Sequence, residues 1–413
     1  GFSSKIVGEE NNIKFLFCAC ISKDLPRDYR SSVIITSQSS AGKSNLVNSI
    51  LEPFKDDVYD FTDYTPAFLQ RQEVNMDGKI FKMEQMERKN DKKQITMSSL
   101  KFLLSEGILK IGLVDRNEKG KNESKTLQVN GIPVFISTST NYNIDPETLN
   151  RTFLMQVDET ETQTKKIVSH IFQKYSTLRI NDTWTEELSE LKKLAKIYKE
   201  LAHRITDIII PFGDKLFDRI PTADVTIRRD LQKILNLTAV ITFIHASNRM
   251  RIKDNDGKNF IKDQFGNTEN LYTYALVAEL SDFKEAFEIA GTTIKQTLNK
   301  LNESSMEIYN SFVKVYNENL DGVKIKQMAK ELRLSDNRTR ELLNQLLNSG
   351  FLSREKTSSR EYIYFPTEKK FEEIKTDDIE FTKEELDKLI QIQICKHSGR
   401  LEVLDPSDSV VVS

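Results

Sequence analysis

The sequence predicts an α/β layer domain, then an α-helical region, then a small unit of two short helices and two strands. Three observations carry this. Short β runs alternate with helical patterns through residues 1–160, as in an α/β layer fold. One run, Val33-Ile34-Ile35-Thr36, leads through Ser37-Gln38-Ser39-Ser40-Ala41 into Gly42-Lys43-Ser44 and an amphipathic helix, the setting of a phosphate-binding loop. Further on the period becomes helical: Leu231, Ile234, Leu235, Thr238, Ile241 and His245 share one stripe, and Pro211 and Pro221 mark breaks.

Whole-chain properties bound the reading. A chain of 413 residues has room for two or three domains with real cores. The net charge of −2 advertises no global attraction to nucleic acid, although local positive charge inside a pore is compatible with it. No apolar run is long enough to span a bilayer and no signal peptide is visible, so we expect a cytoplasmic protein with no membrane partner. The chain opens on Gly1 rather than methionine, which leads us to expect a segment ahead of it. Cys18, Cys20 and Cys395 form a sparse, odd set that fits a reducing compartment. Cys18-x-Cys20 has no second pair at ligand spacing, which favours core packing over a metal site.

Five segments follow: an α/β core over 1–160, a charged helical connector over 161–205, a helical region over 206–310, a compact unit over 311–368 and an acidic tail over 369–413. In the first, the backbone N–H groups of Ser39, Ser40, Ala41 and Gly42 can cradle phosphates. Lys43 suits the outer phosphates and Ser44 a Mg²⁺ ion, so ATP and Mg²⁺ are the expected ligands. Ser37 stands where this loop usually opens on glycine, so that corner is expected to be shaped differently.

The next strand, Lys79 to Gln85, carries Glu84 at its end, where a general base and metal ligand belongs; an exposed strand-end Glu is the plainer alternative. A third strand, Ile132 to Thr140, ends at Asn141, which could orient the attacking water or merely cap a turn. Asp145 can cap a helix begun at Pro146, and Arg151 lies at its far end. There it could project into a neighbouring subunit's phosphoryl-transfer site, or simply complement the helix C-terminus.

The order phosphate loop, strand-Glu84, Ser137-Thr138-Ser139-Thr140-Asn141, Ile144-Asp145-Pro146 and helix-Arg151 resembles the AAA+ ATPases. The resemblance implies that Asn141 is a sensor residue and Arg151 an arginine finger. Ser37 and Met83 depart from the family, which has a glycine and an aspartate there.

Between the acid strand and the Asn141 strand, a helix stopped by Gly107 precedes Ile108–Val114 and a return strand Lys125–Val129 around a polar tip. This placement is similar to the pre-sensor hairpin of MCM-like and superfamily-three helicases. It implies that Arg116, Lys119 and Lys121 grip single-stranded DNA in the pore of a homo-hexamer; an ordinary solvated hairpin tip is the alternative. The resemblance also implies a second sensor at Arg229, or Arg228, at the start of an α-helical lid; His245, on the apolar stripe, is expected to be a packed core histidine rather than a ligand.

The helix Ile325–Leu332, the turn Leu334-Ser335-Asp336, the helix Asn337–Leu347 and the strands near Phe351 and Tyr362 resemble a winged helix. Such a domain implies DNA contacts from Arg338, Arg340 and Asn344 on the second helix, and from Arg354, Lys356 and Arg360 on the wing. Packing or regulatory use is the alternative. The resulting expectation is an ATP-driven, ring-forming replicative helicase of archaeal, plasmid or viral type, coupled to a primase. Its rivals are an AAA+ regulator or loader that uses ATP as a switch, and a DNA-binding protein that does not hydrolyse nucleotide.

Overall fold

The computed structural model describes residues 2–38, 42–61, 75–84, 100–116, 122–140, 144, 146–176, 183–217, 219–220, 227–254, 261–262, 268–269, 273–299, 301, 303–318, 320–357, 361–371, 379–396, 401–404 and 406. The first domain contains α1 (Glu10–Ser22), β1 (Val33–Thr36), α2 (Lys43–Leu51), β2 (Val58–Phe61), β3 (Ile80–Met83), β4 (Ile108–Arg116), β5 (Asn122–Asn130), β6 (Val134–Ser139), α3 (Pro146–Leu149) and β7 (Phe153–Gln156).

Five of these strands form one parallel sheet in the order β2-β3-β6-β1-β7. Val33, Ile34, Ile35, Phe81, Val134 and Phe135 are sealed from water, because a parallel sheet is covered on both faces. Val33, Ile35, Val134, Ile136, Phe153 and Met155 belong to the core shared with α1 and α2. Ile34, Phe81, Phe135 and Leu154 belong to a second core with Leu100, Leu103 and the β4–β5 residues Leu109 and Val129. The chain winds from β1 outward to β2, returns through β3 and β6, and then crosses to β7 on the other side of β1. The order therefore reverses at β1, and a ligand crevice belongs beyond the carboxyl ends of strands at such a switch point.

β4 and β5 pair with each other as a two-stranded ribbon, from Ile108 opposite Asn130 to Arg116 opposite Asn122, and Asn130 at its foot also bridges Asn75. Nine residues of strand reach about 30 Å. The hairpin is longer than the sequence pattern suggests, and its foot is anchored by Leu109 and Val129.

α4 (Glu161–Ser176) and α5 (Thr183–Ala202) occupy the connector. The next region holds β8 (Ile205–Ile209), α6 (Gly213–Phe217), α7 (Ile227–Ile244), β9 (Arg251–Asp254), β10 (Ile261–Lys262), β11 (Thr268–Glu269), β12 (Tyr274–Val277) and α8 (Leu280–Asn299). Here the structure corrects an all-helical reading. β8, β12 and β9 belong to a four-stranded sheet that runs alongside α7 and α8. Strands of four or five residues are too short for periodicity to separate them from helix.

The last unit contains α9 (Glu303–Glu318), β13 (Val323–Lys324), α10 (Ile325–Leu332), α11 (Asp336–Asn348), β14 (Leu352–Lys356) and β15 (Tyr362–Pro366). It has its own core around Phe312, Met328, Leu343, Leu346, Phe351 and Tyr364, and a three-stranded sheet in the order β13-β15-β14. Ser335 caps α11 by accepting from the Arg338 N–H.

The acidic tail is also structural. α12 (Lys383–Lys396) exceeds the predicted Glu384–Ile390 stretch, and β16 (Leu401–Leu404) pairs antiparallel with β9. Phe381 packs on Phe212 at 6.0 Å, and Lys215 meets Glu385 at 2.8 Å.

Candidate functional site: a phosphate loop at the switch point

α2 begins where β1 ends, at the carboxyl edge of the sheet. Gly42 adopts φ 90°, a left-handed conformation that turns the chain into the helix. Lys43 is buried, and its Nζ donates to the Ser37 carbonyl at 2.7 Å, the Ser37 Oγ at 2.9 Å and the Gln38 carbonyl at 2.7 Å. Ser44, one residue on, is exposed on the first turn of α2.

Ser37 accounts for the missing glycine. It is not left-handed, since Glu9 and Arg333 are the described non-glycine residues with positive φ. Its N–H instead donates to the Ser139 carbonyl at 3.3 Å, continuing the line of β1, while its hydroxyl holds Lys43.

A further loop contact was not legible in the sequence. Glu159, just past β7, accepts from the Gln38 N–H at 2.6 Å and from the Gln38 side-chain amide at 3.1 Å. No spacing rule links residues 38 and 159; only the parallel pairing of β1 with β7 brings them together.

Met83 is level with Ser137, and Ser137 with Ile34, so Glu84 lies beyond the end of β3, two strands from β1 and roughly 10 Å across the sheet. Its carboxylate meets Lys82 at 3.1 Å, and buried Lys82 also meets Asp60 at 2.9 Å. Lys82 is thus a second residue that sequence reasoning missed. Ser44 and Glu84 offer oxygen donors, which suit Mg²⁺. No group of three or more His, Cys, Asp or Glu that could hold a metal occurs among the described residues.

Cys18 and Cys20 are buried in α1, and burial pushes the Cys18 thiol up to about 12. That protonated state matches core packing rather than metal ligation. His245 is not simply packed: it is a third exposed, and its Nδ1 lies 3.2 Å from Asp282.

Arg151 does not project. Its Nη1 donates to the Glu147 carbonyl at 2.8 Å, and its Nε donates to the Ser105 hydroxyl. Phe153 is level with Val33, so Arg151 sits below the amino end of β7, at the opposite edge of the sheet from Lys43. It cannot serve its own phosphate loop.

Arg228 and Arg229 are exposed on the first turn of α7. Beside them, buried Asp230 and Lys233 pair at 2.7 Å, and Lys233 donates to the Leu149 and Thr152 carbonyls at 3.0 and 3.3 Å. The turn that carries Arg229 therefore abuts Arg151's corner.

Ser39, Ser40, Ala41, Asn141, Asp145, Lys119, Lys121 and Arg360 lie outside the described residues. Arg116 ends β4, opposite Asn122. In the last unit, Arg340 of α11 and Arg354 of β14 line one groove of about 360 Å³, together with Lys324, Lys326 and Tyr362. Arg354 stacks over the Tyr362 ring at 4.5 Å. Arg338 meets Glu341 at 3.1 Å, Asn344 is half-buried and Lys356 is exposed at the end of β14.

No protein-family model matches the chain, and no curated protein matches it. Among solved structures, a full-length MCM homolog from Methanopyrus kandleri is similar over 71% of this chain and 57% of its own length, at 12% identity and a TM-score of 0.34. A DNA polymerase III gamma subunit-related protein from Thermotoga maritima is similar over 77% of this chain and 93% of its own, at 12% identity and a TM-score of 0.21. The chain thus spans little more than half the length of that MCM homolog. What its own sheet order and register establish is a parallel α/β sheet in which the loop between β1 and α2 follows the switch strand.

Proposed function

We propose that this protein is an AAA+ ATPase that assembles into a ring and drives single-stranded DNA through it, as a replicative helicase. The observation that carries the reading is buried Lys43, held at the loop that follows the switch strand, where a nucleotide's phosphates can displace loop oxygens as its partners. The β4–β5 hairpin, inserted just before β6, supplies an arm long enough to reach a pore.

In this reading Lys43 contacts the β and γ phosphates, while Ser44 and Glu84 hold Mg²⁺, which supplies charge neutralisation on the phosphates. Glu84 also accepts a proton from the attacking water, for which it must swing away from Lys82. Asn141 positions that water. Arg151 works in a neighbouring subunit's site, consistent with its place at the far edge of its own sheet, and Arg229 follows it there. Arg116, Lys119 and Lys121 hold the single strand. The last unit acts as a winged helix, with Arg338, Arg340, Arg354 and Lys356 on duplex phosphates or on a partner such as a primase.

The test is DNA-stimulated ATP hydrolysis with strand displacement. Wild-type protein is expected to show both, and Lys43→Ala neither. Mixing Lys43→Ala with Arg151→Ala should restore part of the hydrolysis, since each supplies what the other lacks. Turnover without unwinding would instead mark a loader or regulator. Equal background hydrolysis by wild type and Lys43→Ala would mark a non-hydrolysing DNA-binding protein.

A further inference from the structure

One peptide group stands between the cation of the phosphate loop and a carboxylate beyond β7. Lys43 Nζ donates to the Ser37 carbonyl at 2.7 Å, and the N–H of the same amide, carried by Gln38, donates to Glu159 at 2.6 Å. These contacts lie at opposite ends of one planar unit, because the carbonyl and N–H of a trans peptide point in opposite directions. A positive charge at the oxygen and a negative charge at the hydrogen polarise the amide in the same sense, so each contact strengthens the other. A carboxylate acceptor also makes the stronger, charge-assisted kind of hydrogen bond. The Gln38 side-chain amide adds a second bond to that carboxylate at 3.1 Å, and the Gln38 carbonyl accepts from Lys43 at 2.7 Å. Gln38 is exposed, so burial does not fix it.

Glu159 itself stands on a firm support. The junction from β7 to α4 is gripped by the N-terminal segment at three points. The Asn12 amide donates to the Gln156 carbonyl at 2.9 Å, the Asp158 N–H to the Glu9 carboxylate at 2.7 Å, and the Gln163 amide to the Val7 carbonyl at 2.6 Å. Glu9 makes its contact from a left-handed backbone at φ 65°. A non-glycine residue keeps such a conformation only where surrounding contacts hold it.

We propose that Glu159 is a positioning residue of the phosphate loop. It fixes the Ser37–Gln38 peptide, so that the Ser37 and Gln38 oxygens hold Lys43 ready for the phosphates of a nucleoside triphosphate. This role rests on the nucleotide reading above and adds the residue that preorganises the empty loop. Once phosphates have taken Lys43, Glu159 has less left to do. Preorganisation of this sort lowers the cost of binding and leaves the bound state alone, so it acts on KM rather than on kcat. A carboxylate beside a phosphate site also repels the ligand, and the sign of the effect decides between the two roles.

The experiment is steady-state ATP hydrolysis and titration with a fluorescent ATP analogue. It uses the full chain as wild type, Glu159→Ala and Glu159→Gln, with thermal unfolding to verify folding. Glu159→Ala should raise KM and the analogue's Kd about tenfold, the scale of losing one charge-assisted hydrogen bond, with kcat within about twofold of wild type. Glu159→Gln keeps an acceptor oxygen at the same reach and should fall between. Hydrogen exchange at the Gln38 amide, measured without nucleotide, should quicken in Glu159→Ala. Tighter binding by both variants overturns the proposal, because the carboxylate would then be a charge that the phosphates must overcome. Unchanged KM and Kd in Glu159→Ala overturn it too and leave the nucleotide site standing. A fall in kcat at unchanged KM does the same, since it places Glu159 in the chemical step. Equal exchange at Gln38 in wild type and Glu159→Ala shows that the carboxylate does not hold the peptide. A wild type that binds no analogue sinks the nucleotide reading itself, and the role of Glu159 with it.

Discussion

Lys43 and Arg249 are both cations with 8% of their surface exposed, yet their surroundings differ in kind. The three hydrogen bonds from Lys43 to its loop go to neutral oxygens of Ser37 and Gln38. Arg249 closes the joint between α7 and α8 on a fully buried carboxylate. Its Nε and Nη2 reach both oxygens of Asp282, which also accepts from the Thr242 hydroxyl at 3.1 Å and the Glu279 N–H at 3.0 Å. A buried charge costs several kcal/mol of desolvation unless it is matched. The Arg249 pair is matched within the fold and is built to stay. The Lys43 bonds to Ser37 and Gln38 end on dipoles, which an anion can outcompete. The same degree of burial thus goes with a buried carboxylate in one place and with loop oxygens in the other, and in the proposed reading those loop oxygens give way to a nucleotide's phosphates.

The hardest test of this contrast is Asp282→Ala. It strands the Arg249 guanidinium in the joint, and removing one partner of a buried pair costs about 3–5 kcal/mol. Urea unfolding should show that loss, with nucleotide binding intact under conditions where the variant remains folded. A loss below about 1 kcal/mol would show that the joint is more hydrated than it looks.

Lys43→Met should reverse the pattern. Hydrolysis should fall at least about a hundredfold, the usual scale for removing one charge-stabilising group from a transition state. Stability should change by less than about 1 kcal/mol, because the loop bonds given up end on neutral oxygens of Ser37 and Gln38. Loss of stability comparable to that of Asp282→Ala would erase the distinction drawn here.

pH supplies a third comparison. Burial pushes the Asp282 carboxyl up, but hydrogen bonds from Arg249, Glu279 and His245 outweigh it, so it titrates below the usual range. Asp57 behaves likewise: burial is outweighed by Lys23, Lys79 and Lys199, and the shift is larger. A depressed carboxyl contributes stability that is fully present above its unfolded value, near 4, and that is lost as pH falls through the folded value. Thermal unfolding should therefore hold from pH 7 to about 5 and fall steeply below about 4. In Asp57→Asn the starting stability should be lower and the acid slope shallower. An unchanged slope would mean that Asp57 is not a source of the acid sensitivity.

The legible parts of this molecule were those written in contiguous residues. The strand, loop and helix around Lys43, the β4–β5 hairpin and the two helices near Arg340 each announce themselves by local period and turn chemistry. What stayed hidden depends on residues that only the fold makes neighbours. Glu159 on Gln38, Lys82 on Asp60, and Lys233 on Leu149 join positions 22 to 121 apart, and Lys82 lies within a strand that reads as plain β. The β8-β12-β9-β16 sheet was missed for the same reason. Its strands are short, and its edge comes from the tail, about 150 residues downstream of β9 by the numbering. The contacts of Arg151 with Glu147 and Ser105 are likewise invisible in the sequence, because a helix end does not reveal which side chain folds back against it.

The smallest effect, and the finest probe of the loop, is Gly42→Ala. Among the described residues nothing lies within 4 Å of the methyl group such a change would add. What remains is the backbone: φ 90° is a conformation that L-residues adopt reluctantly, at roughly 1–2 kcal/mol. The variant should lose about that much stability, or relax its turn and leave Lys43 aimed a little differently. Unfolding and nucleotide titration separate these outcomes. Lost stability with unchanged affinity means that the turn holds its shape under strain. Unchanged stability with affinity weakened about tenfold, equivalent to about 1.4 kcal/mol, means that the turn gives way and Lys43 moves with it. If neither quantity moves, the left-handed turn is dispensable and the loop's shape is set by Ser37 and Glu159 instead.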